Sequence, residues 1–91
     1  MTDIVLADHI LSELRRAMAA EPAKRLEILK PLPIKIRNVG RANDTIDNRR
    51  NEALLAVQNV CHHVEQSNGT CPENIWNKAI DLTKRWRALL I

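Results

Sequence analysis

Apolar residues recur at helical spacing along three long stretches of the chain. Between Asp3 and Ala20, Ile4, Ala7, Leu11, Leu14 and Met18 follow one another at intervals of three and four, which draws one stripe along a helix. Thr2 or Asp3 stands where a cap is needed. Asp8 and Glu13 precede Arg15 and Arg16, the order that the helix dipole favours. From Asn43 or Asp44 to Gln66 a second stripe runs through Ile46, Ala53, Val57, Val60 and Val64, with Leu54 and Cys61 beside it. Asn43 suits its cap, Asp44 and Asp47 its first turn, and Asn68-Gly69 is a stop signal. Thr70-Cys71-Pro72-Glu73 then matches a capping box, a Thr followed three residues later by a Glu, and predicts a last helix from Pro72 to Leu90. The short turn makes the last two helices a close hairpin.

The intervening chain reads differently. Pro22 suits the first position of a short helix reaching about Lys30, with Leu26, Ile28 and Leu29 as its apolar side. Pro31 and Pro33 stop it. From Leu32 to Val39, apolar Leu32, Ile34 and Ile36 alternate with Pro33, Lys35 and Arg37, the period of a strand. No second strand is available to pair with it. The segment is therefore expected to be an extended connector across the bundle, or an edge that pairs with another chain, ending at Gly40. The predicted fold is all-α: one domain over residues 1–91, a small bundle of three main helices plus one short helix and an extended connector.

The last helix carries more apolar surface than one core face needs. At about 100° per residue, Ile75, Ala79, Leu82, Trp86 and Leu89 fall within an arc of about 80°, a complete core stripe. Trp76, Ile80 and Ile91 lie on a shoulder about 100–160° round from Ile75, with Lys84 and Arg87 along it. Trp beside Arg on a partly exposed face is the composition of an interaction hot spot. Trp86 is thus assigned to the core, and Trp76, Ile80, Lys84, Arg87 and Ile91 to a partner-binding surface. The competing assignment packs the shoulder under the connector or against the first helix.

Composition narrows the function further. The 91 residues suffice for one core only. The apolar residues are aliphatic apart from the two tryptophans, as helix-on-helix packing requires. A net charge of +3 from 14 basic and 11 acidic residues is a mild bias. It is compatible with nucleic acid, whose binding needs several cations on one face. Lys35, Arg37, Arg41, Arg49 and Arg50 are the candidates for that alternative, against a reading as solvated helix surface. A helix-turn-helix across Ser67–Thr70 would open its second helix on Glu73, which is unfavourable beside phosphate. Cys61, His62, His63 and Cys71 are of metal-ligand type, but neighbours on a helix point about 100° apart and do not converge on one ion. With two glycines there is no phosphate loop, and there is no nucleophile elbow or paired-carboxylate signature. No secretory signal, membrane span or lipidation motif is visible. The expectation is a non-catalytic, cytoplasmic protein-binding module without metal or cofactor. It would act as an adaptor, regulator or small inhibitor of a larger protein, or bind itself as a homodimer. The alternative is a nucleic-acid-binding regulator.

Overall fold

A computed structural model describes residues 2–90. Five helices follow in order: α1 (Asp3–Ala19), α2 (Pro22–Leu29), α3 (Leu32–Arg37), α4 (Asp44–Gln66) and α5 (Glu73–Ala88). There is no strand among the described residues. The fold is a small all-α bundle. α5 packs against α4 and α1, and α2 also joins α1 to α4, so these four helices close a ring around the core. α3 packs mainly on α4 and closes one side. The interior is aliphatic, with Ile10 and Leu14 from α1, Leu29 from α2, and Val57 and Val60 from α4 all fully buried. Burying each such side chain contributes about 1.5–3 kcal/mol. Trp86 is fully buried in the same cluster, and its Nε1–H has no hydrogen-bond partner among the described residues.

The long helices begin and end for reasons legible in the sequence. The Thr2 side chain accepts from Val5 N at 3.4 Å, and the Asn43 side chain accepts from Ile46 N at 2.9 Å. Pro22 stands at the first position of α2, where no amide donor is needed. α4 ends with Asn68 in the left-handed region at φ 54°, and the Gly69 amide returns to Val64 O at 2.8 Å, closing the helix end. Gly69 is required twice over. Its φ is +94°, and a Cβ there would sit 2.2 Å from the carbonyl oxygen of Pro22. The α4–α5 turn is thereby pressed onto the start of α2.

Two expectations are corrected. The Leu32–Val39 segment is no extended connector; it forms α3, which follows α2 after Lys30 and Pro31. Leu32 and Ile36, four apart, turn inward and are fully buried, while Ile34 between them is left 56% exposed. Helix formation satisfies the backbone locally, with Lys35 N donating to Pro31 O at 3.3 Å and Asn38 N to Ile34 O at 3.0 Å, which an unpaired strand could not do. The capping box is also absent. Thr70 Oγ1 donates to Ser67 O at 2.8 Å, within the turn, and α5 starts at Glu73 with Pro72 at its cap position and no side-chain cap bond.

Candidate functional site

The core face of α5 is rotated from the one the apolar pattern predicts. Its buried residues are Trp76, Ala79, Thr83 and Trp86. These span about 20–100° from Ile75, where the predicted stripe was centred near 0°, so the helix is turned by about 60° toward Trp76. Two local features permit this. Thr83, a polar residue, enters the core because its hydroxyl donates to Ala79 O one turn back at 2.7 Å. Trp76 is covered by Arg25 of α2, whose guanidinium carbon lies 5.6 Å from the ring centroid. That guanidinium is itself anchored. Arg25 Nε donates to Ala17 O at 3.0 Å, Nη2 to Met18 O at 3.0 Å and Nη1 to Gly69 O at 2.9 Å, tying together the ends of α1 and α4.

The predicted shoulder is largely consumed by this rotation. Trp76 is only 2% exposed, so its assignment to an exposed partner-binding face is corrected: it is a core residue. Ile80 is half-buried and packs against the core. Arg87 crosses to α1, with Nε donating to Asp8 Oδ1 at 2.7 Å; the adjacent carboxylate raises its pKa further. Lys84 is exposed. Ile91 lies outside the described residues.

The surplus apolar surface reappears on the opposite flank of α5. Leu82 is half-buried and Leu89 is exposed, although both belonged to the predicted core stripe. Beside Leu82, α4 presents Leu55, which at 65% is the most exposed large apolar side chain among the described residues. A shallow groove of about 670 Å³ runs between the two helices, with Leu55, Ala56 and Leu82 as its apolar part and Glu52 and Lys78 among its polar residues. Glu52 is held by Arg49 Nη1 at 2.9 and 3.0 Å, and Lys78 has no ion-pair partner among the described residues. Leu55 was missed in the sequence. The run Ala53-Leu54-Leu55-Ala56-Val57 was the available signal, because five successive residues at about 100° apiece cannot all face one core.

The basic candidates are divided between tasks. Arg50 Nη1 donates to Val39 O at 3.0 Å and Gly40 O at 3.3 Å, closing the α3–α4 loop, and lies 3.8 Å from Asp47. Arg41 approaches Asp47 at 4.0 Å, and Arg49 is paired with Glu52. Lys35 Nζ lies 3.0 Å from His9 Nε2, and Arg37 is exposed at the end of α3. Three of the five thus face carboxylates of their own chain.

Cys61 and Cys71 are free thiols. Burial pushes Cys61 up to about 11, and burial also raises Cys71. Neither is an activated nucleophile, since the thiolate is the reactive form. No group of three or more metal-ligating side chains occurs among the described residues, and no described helix is long and apolar enough to cross a membrane. The sequence matches no known family model, and no significant match is found among curated proteins or solved structures.

Proposed function

We propose that the chain is a non-catalytic protein-binding module that works through the α4–α5 groove. The observation that carries this is Leu55, left 65% exposed beside Leu82 on a face where neither α1, α2 nor α3 takes part in the groove lining. An exposed leucine alone is ordinary, but one that joins a second apolar side chain across a two-helix groove fits an interaction surface. The occupant that suits it is an amphipathic helix, laid with its apolar side against Leu55, Ala56 and Leu82 and with a carboxylate toward Lys78. Burial of the leucines supplies affinity, and the Glu52 and Lys78 rim sets orientation.

The test starts from a photo-crosslinking residue at position 55 in the native host, followed by reconstitution of the captured complex from purified components. Leu55→Asp should weaken that complex at least about tenfold, since a charge is placed where an apolar contact was. Lys84→Ala, on the other flank of α5, should leave it unchanged. Equal binding by Leu55→Asp and the unmodified chain, or a loss on Lys84→Ala, would defeat the reading.

A further inference from the structure

The groove carries its own countercharge, and this identifies an occupant. Resting on the reading of the groove as a docking face, we infer that it receives the same α4–α5 face of a second copy of this chain, in a two-fold dimer. Glu52 is on α4 and Lys78 on α5, on opposite sides of the groove, and in a helical hairpin they also lie toward opposite ends of it. Leu55, Ala56 and Leu82 fall between them along the two helices. A two-fold axis through this apolar floor that brings Glu52 of one copy onto Lys78 of the other brings the reciprocal pair together as well, because an isologous contact is made twice. Leu55 of each copy then meets the apolar floor of the other. Lys78, which lacks an ion-pair partner within its own described chain, gains one, and Glu52, already held by Arg49, is then shared between the two cations. The Asp81–Arg85 pair further along α5 is internally neutral at 3.2 Å and opposes no approach.

The area agrees. α5, at 16 residues, is about 24 Å long, and two helices side by side are about 20 Å wide. The face can therefore bury at most about 480 Å² per copy, or about 1,000 Å² for the pair, which is the size of a weak, transient interface. The dimer is accordingly weak and concentration-dependent, and it covers Leu55 and Leu82 on a chain small enough to benefit from association.

Sedimentation equilibrium of the full chain across low micromolar to high micromolar concentrations tests this. The mass should rise from 10.4 kDa toward twice that value. Leu55→Asp should abolish the rise with helical circular dichroism unchanged. Glu52→Lys and Lys78→Glu should each weaken association about tenfold, since symmetry repeats each reversal. Together they should restore it to within about threefold of the unmodified chain. A chain that stays at its monomer mass throughout, or a double reversal no better than the singles, overturns the dimer. A monomer that still forms a Leu55-dependent complex with the captured partner defeats the dimer alone. A monomer whose captured complex ignores Leu55→Asp defeats the groove reading with it.

Discussion

The two flanks of α5 have similar compositions and opposite fates. One flank offers Trp76, Ile80, Lys84 and Arg87; the other offers Lys78, Leu82 and Leu89. The first is the more aromatic and looks like an interface. Its aromatic ring is instead covered by Arg25 of α2, and its own Arg87 is tied at the surface to Asp8 of α1. The second has no such cover, and its neighbour on α4 is the exposed Leu55. Hot-spot composition therefore does not locate an interface in a chain where a long cationic side chain can lie over an aromatic ring and satisfy its own donors on backbone carbonyls.

The contrast can be broken by substitution, and the largest effect is expected at Trp76. Trp76→Ala should cost about 3–5 kcal/mol in denaturant unfolding, as for other buried aromatics, and leave Arg25 without its ring. Leu55→Ala should fall within about 0.5 kcal/mol of the unmodified protein. Equal losses at the two sites would erase the distinction between the flanks. Arg25→Met comes next. It keeps much of the aliphatic stem but removes donors from three carbonyls, and should cost about 2–3 kcal/mol in the same experiment. A neutral result would mean that Trp76 is held in place by packing alone.

Thr83→Val sharpens the account of why α5 is rotated. The hydroxyl is tolerated because it bonds to Ala79 O, and nothing else requires it. The change should stay within about 1 kcal/mol, whereas a hydroxyl needed for the rotation would show a larger loss together with exposure of Trp76. The smallest effect concerns pH. With Cys61 raised to about 11, the unfolded thiol ionises first as pH rises above its ordinary value near 9. The stability associated with the neutral thiol is therefore fully present below about 9 and is lost as pH rises toward about 11. Cys61→Ala should flatten that alkaline fall, and Cys71, less deeply buried, should be alkylated faster than Cys61 near pH 8.

Much of the fold was legible because the signals were local. Stripes at intervals of three and four, the caps at Thr2 and Asn43, Pro22 and the Asn68-Gly69 stop all act within one or two turns, and their elements form where expected. α3 was not legible. Leu32, Ile34 and Ile36 satisfy both a period of two and, through Leu32 and Ile36, an i, i+4 helical pair; the absence of a pairing strand rules out a sheet but leaves extended and helical chain open, and the burial of Leu32 and Ile36 against the bundle favours the helix. The location of the site was obscured for a related reason. Apolar pattern counts Thr83 as outward and Leu82 as inward, yet a hydroxyl can bond to its own helix and a leucine can remain at a groove. The covering of Trp76 by Arg25 joins residues 51 apart and leaves no mark on either local stretch.

Acrylamide quenching of the tryptophan fluorescence of the unmodified protein tests the exchange of flanks most directly. Trp76 and Trp86 are the only tryptophans and both are buried. A single blue-shifted, poorly quenched emission is expected, becoming solvent-like only on unfolding. A red-shifted, readily quenched component in the folded protein that disappears in Trp76→Phe would put Trp76 back on the surface and contradict the exchange of flanks.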